Sequence, residues 1–110
     1  MAITNTSVTS SNTTIYTSSG NNAITTILFC NTSTFSSSSP TTNQSLLYVY
    51  AVPSGSSAGT GTLIVNGLPI PAGETVSLDQ EKLVLANGDT IVAKTDSLSN
   101  ITATVSTLAV

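Results

Sequence analysis

The side chains able to carry chemistry are few, and their types narrow what they can do. The acids are Glu74, Asp79, Glu81, Asp89 and Asp96, the bases are Lys82 and Lys94, and histidine and arginine are absent. Without an imidazole, neither a Ser-His-Asp nor a Cys-His relay can be assembled, and without a guanidinium there is no bidentate phosphate clamp. Cys30 has no base to take its proton. Set beside Phe29 in an apolar run, it reads as a small buried hydrophobe. Asp79 and Glu81 stand two apart, so a strand would place both carboxylates on one face, as an acid/base pair or a calcium site requires. The plainer reading is a solvated strand end. Asn87-Gly88-Asp89 contains part of a calcium loop, but further oxygen ligands at the required spacing are missing, so turn chemistry accounts for it better. No catalytic, cofactor-binding or metal-binding residue is assigned, and the expectation is a chain that binds and is not an enzyme.

The elements that would position these groups are strands. Gly73–Ala93 carries the cleanest alternation: Leu83, Leu85, Ile91 and Ala93 share parity on either side of Asn87-Gly88. This predicts a hairpin. A three-residue loop, Ala86-Asn87-Gly88 with Gly88 left-handed, pairs Leu83 with Ile91 and gathers all four apolar residues on one face, whereas a two-residue loop would split them. Asp89 is then expected at the tip, in solvent and unpaired.

Further short strands are predicted at Thr13–Thr17, Ala23–Asn31, Ser45–Val52, Thr62–Ile70, with Asn66-Gly67 as a turn or bulge, and Glu74–Leu78. Ala23–Asn31 and Ser45–Val52 are apolar on both faces, which predicts central strands or strands covered by another subunit. Ile101–Val110 changes phase after Val105, which predicts a bulge near Ser106 or a tail that leaves the sheet. Thr32–Ser45 and Pro53–Gly61 read as surface loops, and no helix is predicted. The sum is an all-β, antiparallel β-sandwich, jelly-roll or Ig-like, of seven to eight short strands. Residues 1–12 read as an N-terminal arm or edge strand and 13–110 as the sandwich domain.

Composition bounds the rest. The 110 residues carry 6% charged side chains and a net charge of -3, which leaves no clustered basic surface for nucleic acid. Roughly a third of the chain is serine or threonine, so its surface is wetted by neutral hydroxyls. At 39% hydrophobic residues it is too apolar for a disordered tail. So little charge gives little mutual repulsion, which suits a protein held in a fixed assembly. The start MAITNTSVTS has neither a basic nor an apolar stretch and is not a signal peptide; no apolar run is long enough to span a membrane. A single cysteine offers no internal disulfide, and synthesis in a reducing cytoplasm is expected. The Asn-x-Ser/Thr sequons at Asn5, Asn12, Asn31, Asn43 and Asn100 are what chance yields in so hydroxyl-rich a chain, and no glycan is expected.

In order, TTIYT (Thr13–Thr17), ILFCN (Ile27–Asn31), YVYAVPSG (Tyr48–Gly55), PAGETVSL and KLVLANGDTIVA (within Pro71–Ala93) and a closing strand Ile101–Val110 make a pattern covering nearly the whole chain. By this pattern the chain resembles small accessory virion structural proteins of tailed bacteriophages, especially those of marine cyanophages. The resemblance implies a decoration or cement protein on a capsid, or a small sandwich attached to neck, tail or baseplate. It implies no enzyme activity and no cofactor. Expected partners are other virion proteins, major capsid or tail and neck subunits, and further copies of the chain in a homo-oligomer such as a trimer; nucleic acid and membrane are not expected. The expected location is the virion, after synthesis in the host cytoplasm. A receptor- or glycan-binding tip, using Thr32–Ser45 and Pro53–Gly61 as recognition loops, is the alternative. Ile3, Val8, Phe35, Leu108 and Val110 are the candidate interface residues, each apolar within a polar or terminal segment.

Overall fold

Alternation of apolar and hydroxyl side chains commits most of this chain to strands buried on one face. The computed structural model describes residues 2–78 and 83–110. Among these lie β1 (Ala2–Val8), β2 (Thr13–Thr17), β3 (Asn22–Asn31), β4 (Ser45–Val52), β5 (Leu63–Ile70), β6 (Thr75–Leu78), β7 (Leu83–Leu85), β8 (Thr90–Thr95) and β9 (Ile101–Ala109), with one 3-10 turn at Thr60–Thr62. Two antiparallel sheets result. One has the order β1-β9-β3-β6 with β7 also on β3; the other has the order β2-β8-β4-β5. β6 and β7 lie end to end along the same side of β3, Leu78 opposite Ile27 and Leu83 opposite Ile24. Counted as one strand, they give two four-stranded sheets ordered first-eighth-third-sixth and second-seventh-fourth-fifth. That is the strand order of a jelly roll.

The inner faces form a single core. Ile24, Ile27 and Phe29 of β3 and Ile101, Ala103 and Val105 of β9 meet Leu47 and Val49 of β4 and Ile91 and Ala93 of β8. Phe29 is the largest fully buried side chain, and burying a ring of this size contributes about 3 kcal/mol. The second apolar face of β4 has a different cover. Tyr50 and Val52 point outward with Val92 into a small cluster under Tyr48, Ala58 and Leu63, so the chain's own segment after Pro53 covers it, and no other subunit is needed there. Lys94 lies 5.4 Å from the centre of the Tyr48 ring on that same face.

The parity across Asn87-Gly88 holds, but for another reason than a hairpin. Leu83, Leu85, Ile91 and Ala93 all face the core, yet β7 belongs to one sheet and β8 to the other, and Leu83 pairs with Ile24, not Ile91. The segment is an arch between sheets: period two tells which side chains turn inward and is silent on which strand lies beside them. Gly88 is left-handed as expected, at φ 88°. Asp89 is not unpaired, since its carboxylate accepts the N–H of Ser54 at 2.8 Å and of Ala86 at 2.9 Å.

β9 likewise keeps its phase. Thr107 is buried beyond Val105, a hydroxyl where the sequence pattern looked for an apolar residue, and the bulge lies opposite Ser106, in β3 between Ile24 and Thr26. Val8 is fully buried against the core, paired with Ile101, so it is not an interface residue. Its polar neighbours in sequence made it look isolated; the sheet places it inward. Asn66-Gly67 is a bulge, with Gly67 skipped between Leu68 and Asn66 at φ 75°.

Candidate functional site

The register across the five-stranded sheet assembles its outer face row by row. Val84, Ala23 and Leu108 form one row; Thr26, Ser106 and Ile3 the next. Ser77, Leu28, Thr104 and Asn5 follow, then Thr75, Cys30, Thr102 and Ser7. No charged side chain occurs in any of these rows. The charged residues among those described stand elsewhere: Glu74 ahead of β6, Asp89 and Asp96 in turns, Lys94 on the opposite sheet. Side-chain hydroxyls bond across the strands of this face. Thr104 Oγ1 donates to Asn5 Oδ1 at 2.8 Å, and Thr25 Oγ1 to Ser106 Oγ at 2.9 Å.

Apolar side chains project through this polar mat. Ile3 is 69% exposed, Val84 68%, Leu108 45% and Leu28 38%. Surface apolar residues scattered singly need no explanation, but four on one sheet face with no charge among its described residues do. Of the residues expected at an interface, Ile3 and Leu108 thus come together here. Val110 follows β9, exposed, its amide bonded to Asn21 O at 3.0 Å. Phe35 is half-exposed at the other end of the sandwich, in the loop after β3 and beside Gly73. Cys30, expected in the core, is half-buried on the outer face instead, because Phe29 and Asn31 take the inward positions.

Amide side chains tie the loops together at both ends of the sandwich. Asn31, 1% exposed, donates to Asn43 O and Ile70 O, both at 2.9 Å, and accepts Ser33 N–H at 3.0 Å. Asn100 donates to Asn43 O at 2.9 Å and to Ser33 Oγ at 3.1 Å, while its own carbonyl oxygen accepts the Ser45 hydroxyl. Asn43 is left-handed, at φ 63°, to present that carbonyl to both. At the opposite end Gly88 N–H donates to Ser18 O, and Asn87 Oδ1 accepts Gly20 N–H, each at 2.9 Å. Three of the sequon asparagines are therefore structural, and buried Asn31 is closed to any glycan.

The titratable side chains among the described residues are Cys30, Glu74, Asp89, Lys94 and Asp96, with Tyr16, Tyr48 and Tyr50. No group of three or more His, Cys, Asp or Glu comes together there. Asp79 and Glu81, the pair weighed as acid and base, lie outside the described residues. A cleft of about 400 Å³ opens between β5 and the β6–β7 edge, lined by Ile24, Ile27, Ile64, Val65, Leu78 and Leu83. The side chains of all six are apolar. No helix among the described residues is long and apolar enough to cross a membrane.

The chain is thus an all-β sandwich of jelly-roll order whose most distinctive surface is a sheet face that carries no charge among the described residues. Neither the family models nor the curated proteins nor the solved structures compared with it contain a match.

Proposed function

We propose that the protein is a non-enzymatic structural component of a tailed-phage virion, a capsid decoration (cement) protein that binds neighbouring virion subunits in many copies. The observation that carries this reading is the outer face of the five-stranded sheet, uncharged among the described residues and studded with Ile3, Leu28, Val84 and Leu108. Together with the resemblance of the sequence pattern to phage accessory proteins, it favours docking over turnover. Docking buries the four side chains and turns hydroxyls onto a polar counter-surface, with no ion to desolvate.

Magnitudes favour an assembly over a solitary pair. The exposed portions of the four amount to about two whole aliphatic side chains, which yield about 3–6 kcal/mol on burial. Losing free translation and rotation costs ~4–15 kcal/mol, so one such contact barely holds. Repeated in a lattice where each copy touches several neighbours, it holds firmly and resists rupture. Attachment to a neck, tail or baseplate would use the same face and differs only in place. The recognition-loop alternative is weakened at Pro53–Gly61, where Ala58 is packed onto the outer cluster of β4.

The test is direct. Purified particles should contain the chain in many copies, a reconstruction should place the β1-β9-β3-β6 face against the shell, and particles lacking it should break at lower temperature. Absence from particles, with the free polypeptide turning over a substrate, would refute the reading.

A further inference from the structure

A two-sheet sandwich has four edge strands, and an open edge is a row of unpaired N–H and C=O groups that templates another strand. Two edges here are blunted by different devices. β2 is five residues long and bulged between Thr14 and Tyr16. β5 has two register breaks and carries Pro69, which has no N–H to offer. The third edge is made of β6 and β7, whose described residues number four and three. β1 has no such device. Its seven residues, AITNTSV, pair with β9 without a break from Ala2–Thr107 to Val8–Ile101, and contain no glycine, proline or charge. Ile3, Thr4, Asn5 and Ser7 are exposed along it.

We infer that β1 is the edge through which two copies of this chain pair, antiparallel about a two-fold axis, to make one continuous sheet. The occupant is a second copy because the strand is compatible with itself. It brings no charge to repel its twin, and antiparallel pairing is the isologous arrangement that closes at two. Its seven residues give about 23 Å of edge, at ~3.3 Å per residue. Pairing also covers Ile3, 69% exposed on the outer face at that margin. With β6 and β7 counted as one, the joined sheet is eight strands wide, within the range such sheets reach. Both uncharged faces then point the same way, so the dimer offers a doubled, continuous docking surface. The purpose given to the dimer rests on the assembly reading above; the pairing does not, and it is tested on the free chain.

Sedimentation of the isolated protein from micromolar to millimolar concentration should show a monomer–dimer equilibrium. Alternate β1 amides, those facing away from β9, should exchange hydrogen more slowly as concentration rises. Ile3→Lys should weaken dimerisation at least about tenfold without lowering the thermal midpoint, since a like charge is set on each copy at the joint. Leu108→Lys, on the same face but away from the edge, should leave dimerisation unchanged while weakening attachment to particles, which separates failure of the pairing from failure of the virion reading. A monomer at every concentration overturns the inference. So does a dimer, or pairing only with a foreign strand, in which β1 amide exchange does not depend on this protein's concentration. Should Ile3→Lys fail to fold, the exchange data on the unaltered chain decide.

Discussion

Replacing Asn31 tests how the jelly roll is closed at the end where β3 stops. In Asn31→Ala the carbonyl of Ile70 and the N–H of Ser33 lose their partner, while Asn43 O keeps its bond from Asn100. The buried Ile70 carbonyl costs ~1–3 kcal/mol when orphaned and the part-buried Ser33 N–H less, so a loss of about 2–4 kcal/mol is expected. For a domain of this size a loss of ~3 kcal/mol lowers the thermal midpoint by about 10–20 °C. Asn31→Asp sharpens the test, since it changes one NH2 to oxygen. That oxygen would face the two carbonyls at 2.9 Å now served by the amide, in a site 1% exposed. Burial and the facing carbonyls favour the neutral acid, so the introduced carboxyl has a folded pKa above its unfolded value of about 4. The sign follows: the variant's stability is fullest below that unfolded value and falls as pH rises through the folded one. Thermal melts by circular dichroism at several pH values read both effects. An Asn31→Ala midpoint within a degree or two of the parent, or an Asn31→Asp midpoint that tracks the parent across pH, would refute the reasoning.

Other perturbations probe separate joints. Gly88→Ala places a Cβ 2.7 Å from Ser54 Oγ at a left-handed φ of 88°, and should cost about 1–3 kcal/mol in chemical denaturation, part of it recovered by Ser54→Gly. Phe29→Ala empties the centre of the core and should cost ~3–5 kcal/mol by the same measurement. Deleting Leu108, Ala109 and Val110 leaves the inward residues of β9 in place, so the domain should still fold by circular dichroism while occupancy on particles collapses.

How much of this was legible beforehand depends on what alternation can carry. Inward and outward assignment was readable for Leu83, Leu85, Ile91 and Ala93, because it depends on parity alone. Their sheet partners were not, since an arch and a hairpin produce the same pattern, and only packing against Ile24 or Leu47 separates them. Ile3 and Leu108 stood out as apolar residues in polar surroundings; by the same rule Val8 stood out falsely, its inward position being set by pairing with Ile101. Leu28 and Val84 went unnoticed because they sit beside other apolar residues. Within a strand apolar on both faces, the sequence does not tell a solvent-facing side from a covered one, as β3 and β4 illustrate. Asn31 read as one sequon among several, for nothing local marks an amide that bonds to residues 12 and 39 positions away.

The central claim is that the uncharged face of the five-stranded sheet is where this protein holds its neighbours, and Leu28→Lys puts an ammonium group in the middle of it. Leu28 is 38% exposed and flanked by Ser77 and Thr104, so the free domain accommodates the change. At a docked interface, an unpaired buried charge costs about 3–5 kcal/mol, a loss of more than a hundredfold in affinity. Competing this variant against the parent chain for particles that lack the protein, with Thr17→Lys on the exposed edge of the other sheet as the control, measures the difference. The account predicts near-complete exclusion of Leu28→Lys and normal uptake of Thr17→Lys. Equal uptake of Leu28→Lys and the parent would contradict it.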